Sequence, residues 1–322
     1  MGTAHHRVKG VVGGAHPTKQ PYDEVAMNQP HESANREALR SRGATSLLAV
    51  IVALVVGALF MWQSSEQTEA QPWRRRAFDP NAKPDRNGVP DWEVDQRFRD
   101  DVFTFVRLKY NAYRGRGGGW KTDYPDADLN FAFRLQQLTS MKVDPDGKIL
   151  EITDPQLFDY PWVYMIEPGG ISLSEEETTT LRRYLLNGGF MMVDDFWGES
   201  EWFDFYEAIK LVFPDREPIE LPYEHPIFHC VYDLPNKPQI PSLGAAQAGR
   251  SRGITWERPD AQEVHYKGIF DDKGRMMVMV CHNTDLGDGW EREGQDPWYF
   301  KEFSEKLAYP LGINIVFYAM TH

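Results

Sequence analysis

The chain has 322 residues, 41% of them hydrophobic and 13% aromatic, which is enough apolar material for a sizeable core and argues against a disordered protein. The net charge of −13 argues against a nucleic-acid partner, because phosphate binding needs a basic surface and the basic residues cluster only at Arg74–Arg76. The two cysteines, Cys230 and Cys281, exclude a disulfide framework. One bridge between them and two separate thiols both remain open.

The chain begins with a polar tail and an apolar segment. Residues 1–42 have neither helical nor strand periodicity, so we predict a disordered tail. Residues 43–65 carry no charge and are numerous enough to cross a bilayer as a helix, which predicts a transmembrane signal anchor. The predicted anchor residues are Leu47, Val50, Leu54, Leu59 and Trp62.

The alternative to an anchor is a signal peptide cleaved after Ala70. The long leading tail and the length of the apolar run favour the retained anchor. Arg40 and Arg42 lie closer to the apolar segment than Arg74–Arg76 do, so we expect a cytoplasmic N-terminus and an exported body.

Residues 66–96 are polar, charged and proline-containing, which predicts a flexible linker, and residues 97–322 form the predicted globular body. Strand and helix patterns alternate in the first half of this body. The predicted strands are 102–110, 148–153, 161–167 and 190–195, and the predicted helices are 128–141, 172–189 and 199–213. Such alternation predicts an α/β fold with a mostly parallel sheet covered by helices on both faces.

Local signals fix several element ends. Ser174 and Glu177 have the spacing of a capping box at a helix start. A hairpin is predicted with its turn at residues 272–274, and the C-terminal segment is predicted to be a helix kinked near Pro310.

Asp194 and Asp195 end a predicted buried strand, and ligands of open α/β sheets bind at the carboxyl ends of strands. Adjacent strand residues point to opposite faces, so these two carboxylates should diverge unless the chain has already turned. Together with His225 they are the candidate catalytic residues. Either aspartate could bind a cation with partners drawn from His225, His229, Asn283 and Asp285. We prefer the alternative that these groups cap loops and helices through hydrogen bonds, and we predict no metal site.

Other motifs are less specific. The stretch "GRGGGW", which ends at Trp120, lacks the last glycine of a dinucleotide-binding loop and is interpreted as a flexible loop. The acidic stretch "DLGDGWERE" lacks the alternating order of a calcium loop. Exposed aromatic side chains could line a carbohydrate or partner groove, although most aromatic residues belong to cores. The candidate ligand-binding residues are Tyr124, Trp197, His229, Asn283, Asp285 and Trp290.

Seven separated stretches resemble the bacterial family known as domain of unknown function 4159, over residues 102–322. They include "LRRYLLNGGFMMVDDFWG", "HPIFH" and "AYPLGINIVFYAMTH". The resemblance implies a fold similar to class I glutamine amidotransferases, a flavodoxin-like three-layer sandwich with a mostly parallel sheet, and an exported or membrane-attached protein. It implies no established activity. Amidotransferases carry a nucleophilic cysteine directly after a strand, where this chain has Asp194 and Asp195, so we do not expect their chemistry here.

Two functions are compatible with these features. The first is a noncatalytic α/β domain, anchored in the bacterial inner membrane with a periplasmic body, that serves as an accessory or scaffolding subunit of a cell-envelope membrane complex. Its partners would be membrane lipid and another protein, with no cofactor. The second is an exported hydrolase, or a ligand- or carbohydrate-binding protein, that uses Asp194, Asp195 and His225. We favour the first because no cysteine or serine occupies the nucleophile position, whereas Asp195, His225 and Asp285 meeting in an open pocket would favour the second.

Overall fold

The computed structural model describes residues 83–98, 101–113 and 119–322. The predicted tail, the predicted anchor and the linker up to residue 82 lie outside the described residues. Within the described ranges, no helix combines the length and the apolar character needed to cross a bilayer.

The described part of the chain contains short and medium strands. Their bounds are β1 Val106–Lys109, β2 Asn111–Ala112, β3 Lys148–Glu151, β4 Trp162–Ile166, β5 Ile171–Ser172, β6 Phe190–Asp194, β7 Ile219–Glu220, β8 His265–Phe270 and β9 Met276–His282. Seven of these strands form one sheet in the order β3-β1-β4-β6-β9-β8-β7, while β2 and β5 form a separate pair. The predicted hairpin is confirmed as β8 and β9.

Strands β3, β1, β4, β6 and β9 run parallel to one another, whereas β8 pairs antiparallel with β9 and β7 pairs antiparallel with β8 at one edge. The prediction of an α/β fold with a mostly parallel sheet is therefore confirmed. Counted along the chain, the five parallel strands have the spatial order 2-1-3-4-5. The connections reverse direction between β1 and β4, and in doubly wound sheets a ligand crevice forms at this switch point.

The α-helices are α1 Asp126–Leu138, α2 Glu175–Leu186, α3 Gly198–Val212, α4 Leu243–Gly249, α5 Leu286–Glu291, α6 Pro297–Tyr299 and α7 Tyr309–Thr321. The π-helical turns Phe300–Ala308 join α6 to α7, and Pro310 follows them in the first turn of α7. The predicted capping box of α2 is confirmed, because the Glu177 amide donates to Ser174 Oγ at 3.1 Å and the Ser174 amide donates to Glu177 Oε2 at 2.7 Å.

Two apolar cores lie on opposite faces of the sheet. The first packs β-strand side chains against α1, α5 and α7, and the second packs the other strand face against α2 and α3. Strand β6 supplies both, since Met192 belongs to the first core while Met191 and Val193 belong to the second. The result is a helix–sheet–helix sandwich.

Part of the predicted linker packs on the body. Arg86 donates to the Pro145 carbonyl at 2.7 Å and pairs with Asp146, and Trp92 Nε1 donates to the Val143 carbonyl at 2.8 Å. The indole of Trp92 also contacts the first core. Residues 83–98 are therefore anchored at these two points.

The two cysteines are separate free thiols. Cys281 is buried in β9, whereas Cys230 is exposed and its thiol donates to the Asn314 carbonyl at 3.3 Å.

Candidate functional site

A cavity of about 320 Å³ lies at the carboxyl ends of the parallel strands. The connections that follow four neighbouring strands each contribute at least one carboxylate to its wall. Asp123 follows β1, Glu167 follows β4, Asp195 follows β6 and Asp285 follows β9. The cavity therefore lies at the switch point, where the topology predicts a ligand crevice.

The backbone is strained where the carboxylates enter the cavity. Asp123, Glu167 and Asp195 have φ angles of 61°, 49° and 55°, and Asn283, just before Asp285, has a φ of 61°. A left-handed conformation costs a residue with a Cβ on the order of 1 kcal/mol. Because these residues lie together at one edge of the sheet, the strain is concentrated at the cavity, as is typical of functional sites.

Asp194 and Asp195 do different things. Asp194 is the last residue of β6, and its Oδ2 accepts hydrogen bonds from the Tyr164 hydroxyl at 2.9 Å and from the Leu286 and Gly287 amides at 3.0 and 3.1 Å. Asp195 lies beyond the turn of the chain and accepts from Trp197 Nε1 at 2.9 Å. Asp194 thus positions the start of α5, and Asp195 lines the cavity.

Asp123 carries the least satisfied carboxylate of the wall. Its side chain is 8% exposed, and among the described residues its Oδ2 has no hydrogen-bond partner. Gly287 makes room for this oxygen, since a Cβ at Gly287 would lie 2.3 Å from Asp123 Oδ2. A buried acceptor without a donor is costly, and either a proton or a bound ligand at this oxygen would remove the cost.

A buried ion pair supports the segment that leads to Asp123. Arg107 in β1 pairs with Asp128 in α1, and both side chains are buried. Arg107 Nη1 also donates to the carbonyls of Trp120 and Thr122 at 2.9 Å each. The guanidinium is satisfied by these partners and fixes the backbone just before Asp123.

Oxygen atoms from several carboxylates approach closely enough to share a cation. One set is Asp123, Asp195 and Asp285, and the second set is Asp123, Asp288 and Glu291. Within each set, one oxygen from each residue lies within 4.8 Å of the others. Carboxylate oxygens are the ligands that Mg²⁺, Ca²⁺ and Mn²⁺ prefer.

Burial and mutual repulsion disfavour the ionised form of the cavity carboxylates when no cation is bound. Burial raises the pKa of Asp123, Asp195 and Asp285, and neighbouring carboxylates raise each of them further. Arg107 and Arg292 oppose the rise of the Asp123 pKa. The cavity must therefore hold either protons or a cation to balance its charge.

Two arginines contribute positive charge to the cavity wall. Arg258 donates to the Trp197 carbonyl at 3.0 Å and pairs with Glu201. Arg292 Nε donates to Asp288 Oδ1 at 3.0 Å, and its Nη2 lies 2.7 Å from Glu291 Oε2 as an ion pair. Seven acidic residues line the same wall, so these two side chains leave the cavity strongly negative.

Of the ligand-binding candidates, Asp285 and Trp197 line the cavity. Asn283 braces the wall from behind, because its Oδ1 accepts from the Gly198 amide at 2.8 Å and its Nδ2 donates to the Glu263 carbonyl at 2.7 Å. Tyr124 lines a different cavity of about 620 Å³ along β3. Trp290 is fully buried in the first core, where its Nε1 donates to the Ala308 carbonyl at 3.1 Å.

The two candidate histidines lie away from this cavity. His225 Nδ1 accepts from the Ile227 amide at 3.2 Å, and its ring packs against Tyr318. His229 pairs with Asp233 at 2.6 Å and approaches the Tyr223 carbonyl. The structure therefore brings together Asp195 and Asp285 but leaves His225 and His229 elsewhere.

Sequence reasoning missed Asp123 and Glu167. Glu167 directly follows the predicted strand 161–167, so the strand-end rule that selected Asp195 also applies to it. Asp123 is separated from β1 by the glycine-rich loop, so the rule about strand ends does not select it. Asp288 and Glu291 lie in the acidic stretch that does not match a calcium loop, so no motif in the sequence selects them.

The family described as "Domain of unknown function (DUF4159)" matches residues 104–320. This range covers more than half of the chain, and the chain belongs to this family. No curated protein matches the chain.

Proposed function

We propose that this domain binds a divalent cation with Asp123, Asp195 and Asp285 and, through that ion, a small polar ligand. The proposal belongs to the ligand-binding class of function. One observation carries it: the connections that follow four neighbouring strands supply carboxylates to one cavity, and the buried Asp123 Oδ2 there has no partner among the described residues.

Three physical arguments support a cation. The ligand atoms are hard oxygens, which Mg²⁺, Ca²⁺ and Mn²⁺ prefer. Asp195 and Asp285 follow the ends of two adjacent strands, and Arg107 holds the backbone just before Asp123, so the three side chains have fixed relative positions. An ion would also offset the repulsion among carboxylates whose pKa values are raised by burial. A bound ion with open coordination positions would face the remaining cavity volume.

The experiment is a titration of the full chain with Mn²⁺ in mild detergent, with binding measured by calorimetry. Asp195→Asn and Asp285→Asn should each weaken binding by about tenfold or more, because each removes a charged ligand. Asp272→Asn is the matched control, since Asp272 is exposed in the β8–β9 turn and pairs with Arg216. Unchanged binding in Asp195→Asn, or no binding by the unsubstituted chain, would contradict the proposal.

We infer a flavodoxin-like, amidotransferase-like arrangement for this domain. The order 2-1-3-4-5 of its parallel strands supports the inference. The position of a nucleophile in such folds is taken here by Asp195, which fits binding better than covalent catalysis.

We also propose that residues 43–65 attach the domain to the bacterial inner membrane, with the body in the periplasm, as an accessory subunit of a membrane complex. The uncharged apolar segment and the residues that follow it support this setting. Extraction in mild detergent, native isolation and mass spectrometry should recover a partner protein with the chain. Recovery of the chain alone would count against an accessory role.

A further inference from the structure

We propose that a second divalent-cation position lies at the border of the cavity, formed by Asp123, Asp288 and Glu291, and that Arg292 closes it until an ion displaces the guanidinium. The inference rests on the proposed function, because Asp123 belongs to both positions. It adds a second ion and assigns a competitor for it within the chain.

The geometry of the second position comes from one short helix and one loop. Asp288 and Glu291 are three residues apart in α5, a spacing that places both on one face of a helix. Asp123 reaches the same point from the β1–α1 connection, and the three contributed oxygens lie within 4.8 Å of one another. Both sets consist of three carboxylates and share Asp123. The second set has Asp288 and Glu291 where the first has Asp195 and Asp285.

The shared Asp123 allows both positions to be filled together. A carboxylate has two oxygens and can bridge two ions, as in two-metal sites where the ions lie about 3.5–4 Å apart. Asp123 Oδ2 has no partner among the described residues, and it lies where only a residue without a Cβ, Gly287, allows it to lie. Burial of the Asp123 side chain to 8% exposure makes this free oxygen an independent sign of a ligand, beyond the number of acids nearby.

The two positions are also joined through the start of α5. Asp285, from the first set, accepts a hydrogen bond at 2.7 Å from the amide of Asp288, from the second set. Asp288 Oδ2 in turn accepts from the Leu243 amide at 2.6 Å, which fixes its orientation. A shift at one position would therefore be felt at the other.

Arg292 is the resident positive charge at the second position. Its guanidinium contacts Asp288 and Glu291, and its charge also acts on Asp123. The side chain is 32% exposed, so it can leave toward solvent without opening the core. An incoming ion must compete with this guanidinium, so the second position should bind more weakly than the first.

The experiment counts Mn²⁺ ions bound to the full chain in mild detergent by calorimetry and detects coupled ion pairs by electron paramagnetic resonance. The unsubstituted chain should bind two ions with different affinities and give a coupled Mn²⁺–Mn²⁺ spectrum. Glu291→Gln should bind one ion, at the first position, because Glu291 belongs only to the second set, and this binding also shows that the variant is folded. Arg292→Gln should raise the affinity of the second position by about tenfold, because the competing charge is gone.

Arg258→Gln is the matched control. It removes one positive charge from the same wall, but Arg258 pairs with Glu201 rather than with the second position. It should raise the second affinity much less than Arg292→Gln does. An equal rise in both variants would overturn the role assigned to Arg292.

The outcomes separate this inference from the proposed function. One bound ion in both the unsubstituted chain and Arg292→Gln would overturn the second position and leave the first intact. A lack of bound ions in every form would overturn both.

Discussion

The buried carboxylates of Asp194, Asp123 and Asp195 differ in the number of hydrogen-bond donors that surround them. Asp194 is fully buried, and its Oδ2 is held by a hydroxyl and two amides at the start of α5. Asp123 and Asp195 lie at the cavity, each 8% exposed. Their neighbours supply fewer donors, and Asp123 Oδ2 has none among the described residues. Asp194 Oδ1 also has no partner among the described residues, so neither burial nor a missing donor is sufficient; position in the cavity wall is what distinguishes Asp123 and Asp195.

Asp194 makes stability depend on pH. Burial raises its pKa to about 7, despite opposing hydrogen bonds from Tyr164 and α5. The folded state then keeps a proton that the unfolded state releases above about pH 4, so this contribution to stability is present at low pH and lost as pH rises toward 7. Asp194→Asn keeps an acceptor for the two amides but cannot ionise. We expect its free energy of unfolding to fall less between about pH 4.5 and pH 8 than that of the unsubstituted chain.

The check is urea unfolding of both forms at the two pH values, with a chelator present to exclude cations. The expected difference between the two pH dependences is on the order of a few kcal/mol, the size that a pKa change of this extent implies. Asp272→Asn serves as the control, because Asp272 is exposed in a turn. Equal pH dependence in Asp194→Asn and the unsubstituted chain would refute the assignment.

Helix α5 is the element on which the fold and the candidate site depend together. Six residues are too few for a stable isolated helix, so its neighbours must hold it. Asp285 caps its N-terminus, Asp194 binds its first amides, and Trp290 packs in the core against Phe131 with ring centroids 4.4 Å apart. The same six residues place Asp288 in the cavity wall and bring Glu291 close to Asp123 and Asp288.

Gly287→Ala should damage the site more than the fold. The new Cβ would lie 2.3 Å from Asp123 Oδ2 and 3.0 Å from both Ile166 Cδ1 and Tyr164 Oη, so the Asp123 carboxylate must move. We expect loss of Mn²⁺ binding and a stability cost of about 1–3 kcal/mol, the usual range for overpacking. Gly244→Ala in α4 is the control, because nothing lies within 4 Å of its new Cβ. Normal Mn²⁺ binding by Gly287→Ala would disprove the close packing around Asp123.

The elements themselves could be predicted because their signals are local. Strand β6, the capping box of α2 and the β8–β9 turn follow from neighbouring residues, whose patterns are visible in the sequence. The cavity could be predicted only in part. The sequence predicts Asp195 from its place after a strand and Asp285 as a hard oxygen ligand for a cation, but the approach of Asp123 to Glu291 joins residues far apart in the chain. No local period encodes such a contact.

At the scale of the whole molecule, both faces of the sheet are covered and the carboxyl edge carries the cavity. The different exposure of the two cysteines provides a test of this packing. Cys230 is exposed and Cys281 is buried, so a thiol reagent should modify one cysteine in the folded chain and two after unfolding. Burial raises the pKa of Cys230, and labelling should therefore be run above about pH 8.

The same thiol tests the proposed orientation. In spheroplasts, a maleimide that cannot cross the membrane should label Cys230 if the body is periplasmic. Cys230→Ser should lose this labelling, which assigns the signal to one residue. Labelling that appears only after the membrane is opened would place the body in the cytoplasm.

The distribution of the four carboxylates has a mechanical consequence. Strands in a sheet resist sliding through their ladders of hydrogen bonds, and here β1, β4, β6 and β9 are neighbours in the sheet. An ion held by Asp195 and Asp285 would cross-link the ends of the adjacent strands β6 and β9 and would oppose shear between them. Asp123 would join the β1–α1 connection to the same ion. The force needed to separate these strands would then depend on whether the ion is bound.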